Sequence, residues 1–298
     1  MTPRDDTALA QACATLARRL GLGETAPEVI GRFSNRALWL SPQPVVARVP
    51  TGTTAVRNAN AFAARECALV QHLAQQGAPV IGPLDGERAG PHQEGGWTIS
   101  LWQRARVLPA APDPVESAGA LAACHAALRA VPPPLQARFA RWQPFDEVDR
   151  LLAHAAVQAR LSTEDRALLA AQSAALRAQL EANTAPLQLI HGDAHLNNAL
   201  HTAQGMRWHD WEDAFLGPVE WDLACVVSGA RVLGSHAAWS EAVLAAYPAP
   251  WDAERLHLCI HARTLFTVAW MAVLSGDDAE KLARLQGRLR WLHEQPAA

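Results

Sequence analysis

Lysine is almost missing from this chain of 298 residues: Lys281, in the surface-like pattern DDAEKLARL, is the only one, so any chemistry that needs an interior cation falls to arginine. Cysteine is sparse and scattered. The five (Cys13, Cys67, Cys124, Cys225, Cys259) are odd in number and far apart, which argues against a disulfide framework or a zinc ribbon and for reduced core thiols in a cytosolic protein. Charged residues make up only 18% of the chain and the net charge is −3, a balance that points away from nucleic acid and from membrane surfaces. No apolar signal core accompanies Asp5 and Asp6 near the N-terminus. The longest apolar run, Leu256 to Ser275, is interrupted by His257, His261 and Arg263 and reads as a buried helix, not a membrane span. The expectation is a cytoplasmic protein with neither a nucleic-acid nor a membrane partner; its oligomeric state is left open. Half the residues are hydrophobic, which excludes general disorder, and the length suffices for two lobes.

Helical spacing of Leu9, Cys13, Leu16 and Leu20, closed by Gly21, predicts a helix over 7–20. Three short strands follow at 28–33, 36–40 and 44–49, then a helix over 58–76 with Phe62, Leu69, Val70 and Leu73 on its apolar stripe. Two further strands are expected at 80–84 and 97–103, separated by the turn-rich DGERAGPHQEGG. Pro109, Pro112 and Pro114 mark a linker. Beyond it, helices are predicted at 115–129, 145–160, 162–183, 218–231, 236–247, 252–275 and 278–293, around a short hairpin. The fold class is therefore α+β: a small antiparallel-sheet lobe with one long helix (1–103) and a larger, mainly helical lobe (104–298).

Chemistry concentrates between Leu187 and Leu223. An apolar strand, Leu187 to Ile190, opens into a polar loop with His191, Asp193, His195, Asn197 and Asn198; a hairpin over Thr202 to Gly205 leads to His209, Asp210, Glu212 and Asp213. Two acid-rich loops at strand ends, joined by a hairpin, are expected side by side, with Asp193, Asn198 and Asp210 in reach of one point. Converging oxygen ligands of this kind suit a hard cation such as Mg²⁺. His191, Asp193 and His195 also alternate as H-x-D-x-H, a pattern open to zinc and metal-assisted hydrolysis. Glu66 lies on the apolar stripe of its helix, where a carboxylate costs free energy unless paired, and Arg48, interrupting the strand VVARVP, is its natural partner. A structural ion pair and a functional one weigh equally at this point. Asp146, Glu147 and Asp149 fit the start of a helix, and most of the eleven tryptophans fit a core.

Taken together, LIHGDAHLNNAL and WHDWEDAFLGPVEWDLA resemble the aminoglycoside phosphotransferase family of protein-kinase-like small-molecule phosphotransferases, and the resemblance spans nearly the whole chain. His191, Asp193 and Asn198 follow the kinase catalytic-loop spacing. The resemblance implies a two-lobed kinase-like fold and Mg²⁺-dependent transfer of the γ-phosphoryl of ATP, or of GTP, to a hydroxyl of a small-molecule acceptor. It implies Asp193 as the catalytic aspartate, Asn198 and Asp210 as metal ligands, and His191 and Asp222 as support for the loop. On the nucleotide side it implies Arg48 with Glu66, the turn residues Ser34 and Asn35, and Leu101 in a hinge over Ser100 to Gln103. Two features depart from the family pattern. Arg48 stands where lysine is usual, and the turn GRFSNR has only Gly31 in place of a glycine-rich loop. A nucleotide-binding protein of this fold without transfer activity is the alternative, and a His/Asp-ligated metal hydrolase a weaker one.

Overall fold

Asp5 and Asp6 fall in the first turn of helix α1 (Pro3–Arg19) and Arg18 and Arg19 in its last, each favourable to the helix dipole. The computed structural model describes residues 3–32, 34–184 and 186–295. Gly21, at φ +71°, lets the chain turn after α1, and Leu22 N donates to Ala17 O at 2.9 Å. Strands β1 (Ala26–Arg32), β2 (Asn35–Ser41) and β3 (Val45–Pro50) follow; the expected end of β1 at Phe33 lies outside the described residues. Helix α2 (Ala59–Gln75) is capped by Asn58, whose side chain accepts from Ala61 N. Strands β4 (His92–Glu94) and β5 (Trp97–Gln103) complete an antiparallel sheet of order β1-β2-β3-β5-β4. Leu9, Cys13 and Leu16 of α1 pack on Leu38, Leu40, Val49, Ile99 and Leu101 of the sheet.

Two expectations for this part need correction. Residues 80–84 form no strand; only the isolated bridges Val80↔Trp208 and Pro83↔Trp102 occur there. Pro79 and Pro83 lack the N–H a ladder needs. Within the stretch read as turns, His92 to Glu94 pair with Ile99 to Trp97, because the turn at Gly95 and Gly96, both at positive φ, folds the chain back on β5.

The helical part comprises α3 (Pro114–Leu128), the single turn α4 (Pro133–Gln136), α5 (Gln143–Leu152), α6 (Ala155–Arg160) and α7 (Thr163–Ala182). After them come β6 (Gln188–Ile190), the hairpin β7 (Ala199–Thr202) and β8 (Gly205–Trp208), and β9 (Phe215–Gly217). Helices α8 (Val219–Leu233), α9 (Ala237–Ala246), α10 (Ala253–Leu274) and α11 (Ala279–Glu294) end the chain. The single helix expected over 145–160 is two, because His154 adopts extended backbone and caps α6, its Nδ1 accepting from Ala156 N at 3.2 Å. Strand β9, too short to show a pattern, pairs antiparallel with β6 and fixes the start of the loop at His191. Helix α10 is long and apolar enough to cross a membrane by length and composition. Most of it is buried, packed among α5, α7, α8 and α11.

The chain divides into two compact units: Met1–Ala111 with Leu200–Glu212, and Pro112–Ala199 with Asp213–Ala298. In the first, backbone bonds hold the hairpin in place: Trp208 N donates to Pro79 O at 2.9 Å, Ile81 N to Trp208 O at 3.2 Å and Leu108 N to His201 O at 2.8 Å. In the second, Trp221 is the centre of an aromatic cluster with Phe145, Phe215 and Phe266 in edge-on contact. All five cysteines are free and buried. Burial pushes the Cys13 and Cys67 thiols up to about 12, so both are inert.

Candidate active site

Arg48 sits in mid-ladder on β3, opposite Ala37 of β2 and Ser100 of β5, and its guanidinium divides between two acids of the first unit. One nitrogen donates to Glu66 Oε1 at 2.5 Å, the other to Asp210 Oδ1. Glu66 Oε1 also accepts from Trp211 N at 2.9 Å. The pairing expected from two charges out of place in apolar patterns is thus present, and it extends to the segment after β8. Burial pushes the Glu66 carboxyl up against the pull of Arg48, and repulsion from Asp210 adds to the rise. Burial works against the charge of Arg48, but Asp210, Glu66 and Glu212 outweigh it and hold the guanidinium charged. Asp210 itself has φ +67°, a left-handed conformation that Asp tolerates at some cost.

Ser34 and Asn35 lie at the β1–β2 turn. The Ser34 carbonyl accepts from Gly52 N at 2.8 Å and Thr51 N at 3.3 Å, so this turn is tied to the segment after β3. Asn35 is buried and donates from Nδ2 to Glu212 Oε2 at 3.0 Å. Arg57 reaches Glu212 Oε1 at 3.5 Å and Arg65 donates to the Glu212 carbonyl at 3.0 Å. Glu212 therefore gathers three side chains, from β2, from α2 and from the turn before α2, a role its place near Asp210 in WHDWED does not reveal. Leu101 is fully buried in the sheet core, and its carbonyl accepts from Leu84 N at 2.9 Å. Just beyond, Arg104 stacks on Trp39, its Cζ 3.8 Å from the ring centroid.

In the second unit the loop after β6 hangs on Asp222. This carboxylate, fully buried at the start of α8, accepts from His191 N at 2.7 Å, Gly192 N at 2.7 Å and His125 Nε2 at 2.8 Å. An ionised carboxylate only accepts, so the network assigns the Nε2 proton to His125, whose Nδ1 lies 2.7 Å from the Tyr247 hydroxyl. Gly192 sits at φ +84°, and a Cβ there would stand 2.0 Å from Asp213 O; only glycine fits. Its carbonyl accepts from Trp221 Nε1 at 3.0 Å.

Held in this way, Asp193 has its main-chain oxygen 2.9 Å and its Oδ2 3.2 Å from Asn198 Nδ2. His195 Nε2 is 3.3 Å from Oδ2, and Arg263 of α10 donates to Oδ1. Burial alone would raise this carboxyl; His195 and Arg263 overcome it and hold Asp193 well below the usual carboxylate range. In the sequence Arg263 shows only as a polar interruption of an apolar run. His191 is fully buried and its Nδ1 accepts from Asp193 N at 3.3 Å. Among the described residues no group of three or more His, Cys, Asp or Glu side chains is arranged to hold a metal, so the H-x-D-x-H pattern gains no support as a zinc site. Asp210 falls in the first unit, Asp193 and Asn198 in the second.

Among solved structures, a choline/ethanolamine kinase family protein from Mesorhizobium loti matches with a TM-score of 0.67 at 19% identity, over 97% of this chain and 96% of that one. Choline kinase LicA from Streptococcus pneumoniae gives a TM-score of 0.67 at 16% identity, over 94% and 98%. Aminoglycoside phosphotransferase APH(3'')-Id from Streptomyces rimosus gives 0.62 at 20%, over 86% and 98%. At these identities the likeness shows the fold, which is protein-kinase-like. No curated protein matches the chain by sequence. The model of the phosphotransferase enzyme family, APH, matches residues 25–258, and a match of that extent, over the loop on Asp222 and the Arg48–Glu66 pair alike, means that the chain belongs to this family.

Proposed function

We propose that the chain transfers the γ-phosphoryl group of ATP or GTP to a hydroxyl of a small molecule, the nucleotide served by the first unit and the acceptor by the second. The observation that carries the reading is the Asp193 loop: a carboxylate kept ionised by His195 and Arg263 and hydrogen-bonded by Asn198, on a backbone anchored at two amides by the buried Asp222. An aspartate so depressed is a weak base, and its part is to accept a hydrogen bond from the acceptor hydroxyl and aim it for in-line attack. Arg48, oriented by Glu66, is assigned to the nucleotide phosphates.

Asn198 in the second unit and Asp210 in the first are the residues assigned to Mg²⁺, each by its own chemistry. Asn198 donates from Nδ2, which leaves Oδ1 outside those bonds, and Asp210 gives only Oδ1 to Arg48. Both offer hard oxygens. A bound Mg²⁺ supplies neutralisation of charge on the phosphate oxygens. The spectinomycin phosphotransferase among the structural neighbours was solved with ADP and spectinomycin, and the amicoumacin kinase with AMP-PNP, Ca²⁺ and amicoumacin, which supports a nucleotide and a small-molecule acceptor as the two ligands here.

Nucleotide binding without transfer is the second reading, favoured by two ion pairs: Arg48 is committed to Asp210 as well as Glu66, and Asp193 to Arg263. One experiment separates them. Thermal shift with Mg·ATP and Mg·GTP, followed by product detection across a panel of hydroxyl acceptors, is run on the wild type and Asp193→Ala. Transfer in the wild type, lost in Asp193→Ala while the nucleotide shift persists, is the expected result. A shift without transfer to any acceptor supports the second reading, and no shift with either nucleotide overturns both.

A further inference from the structure

The acid expected to face the acceptor is not alone. Arg263 binds it from α10, and Arg263, Thr267 and Met271 follow at four-residue steps along a half-open stripe of that helix, with buried positions on either side. Arg288 of α11 meets the same stripe, its Nη1 3.8 Å from Met271 Sδ. Its other hydrogen bond is a long one, 3.5 Å, to the carbonyl of Arg284 one turn back. Among the described residues no carboxylate lies within ion-pairing distance of Arg288, although the residue is half-buried.

We propose that Arg288 and Arg263 form an oxyanion subsite for the acceptor, so that the molecule phosphorylated is a small hydroxy compound carrying a carboxylate or a phosphate, and not a polycation. The inference rests on the phosphotransferase reading above. A half-buried arginine with no acid beside it costs stability, and burial together with Arg284 and Arg263 lowers Arg288 to about 10. A chain retains such a group where a ligand supplies the missing charge. Arg263 gives the site its second property. In the free protein it neutralises Asp193; when an oxyanion enters, the guanidinium exchanges one carboxylate for another, and Asp193 is released to the acceptor hydroxyl. Charge is conserved in the exchange. Because Arg263 touches Asp193, the hydroxyl and the oxyanion must sit close together on a short carbon skeleton. A cationic acceptor would meet two arginines and leave Asp193 tied.

The test is phosphorylation, in the presence of Mg·ATP, of short hydroxy acids, their primary-amide twins, hydroxyalkyl phosphates and an aminoglycoside. Carboxylate or phosphate acceptors are expected to exceed the amide twins by at least about tenfold in kcat/KM, the loss that follows from one charge-assisted hydrogen bond. Whichever of the two anionic sets turns over identifies the oxyanion. Arg288→Gln should erase the preference through KM, and Arg288→Lys should restore part of it. Both should melt no lower than the wild type, since each removes or eases a repelled charge. An equal or better rate with amides or the aminoglycoside overturns the subsite. So does a nucleotide thermal shift with no transfer to any anionic acceptor. Absence of that shift is the separate failure of the phosphotransferase reading.

Discussion

Asp222→Asn changes one heavy atom and should cost as much as a large cavity mutation. The wild-type carboxylate accepts three hydrogens, Gly192 N on Oδ1 and both His191 N and His125 Nε2 on Oδ2. Asparagine offers one oxygen and an NH₂ in the same space. With the oxygen toward His191 and His125, the NH₂ is forced against the Gly192 N–H, and the flipped rotamer opposes two donors instead of one. One charge-assisted bond is lost outright and the others fall to neutral strength, in a site with no access for water. The sum is roughly 3–5 kcal/mol, in the range measured when one partner of a buried ionic network is removed. For a unit of this size that is a fall in Tm on the order of 10 °C. Tryptophan fluorescence during urea unfolding is the assay, because Trp221 is fully buried and bonded to the Gly192 carbonyl. A change in stability below about 1 kcal/mol would refute the argument that the loop hangs on this carboxylate.

Gly192→Ala places a methyl group where Asp213 O already stands, at a positive φ, and should destabilise the second unit by more than about 3 kcal/mol, measured by the same unfolding transition. Arg48→Met leaves Glu66 and Asp210 facing each other without their cation; a loss of about 3–5 kcal/mol is expected in the first unit, and Glu66→Gln added to it should recover part of the loss in a double-mutant cycle. His261, buried beside Gln172 and Trp291, is lowered by burial from its ordinary value near 6.5 to about 4. The unfolded chain then binds the extra proton, so this contribution is complete above pH 6.5 and lost as the pH falls toward 4. At pH 5 it amounts to about 2 kcal/mol, by which wild type should lose more stability than His261→Gln between pH 7.5 and 5 in urea titrations. Parallel curves would show that His261 does not titrate in this way.

What could be read from the sequence was whatever advertised itself locally. Glu66 on an apolar stripe and Arg48 in an apolar strand were out of place, and out-of-place charges find each other. The spacing of His191, Asp193 and Asn198 is legible because it lies within one loop. Helix α7, with its Ser162–Asp165 capping box, kept its expected ends to within a residue, whereas α1 begins at Pro3, four residues before its expected start. The failures have the opposite character. β9 is three residues long and is made a strand by β6; residues 80–84 look like a strand but carry prolines where partners would bond. Arg263 acts on Asp193 across seventy residues of sequence, and Glu212 collects Asn35, Arg57 and Arg65 from more than a hundred residues away. Only packing makes those contacts, and no local pattern announces them.

The hairpin at 199–208 has a consequence for anyone who cuts this chain. Its outer part belongs with the first unit, yet it is encoded within the second, so the backbone passes from one unit to the other three times, after Ala111, Ala199 and Glu212. A fragment ending at Ala111 would lose Trp208, Asp210 and Glu212, expose the amides and carbonyls of Pro79, Ile81, Arg106 and Leu108 that the hairpin serves, and leave Arg48 with one acid instead of two. The two units are therefore not separable as pieces of gene, however compact each is.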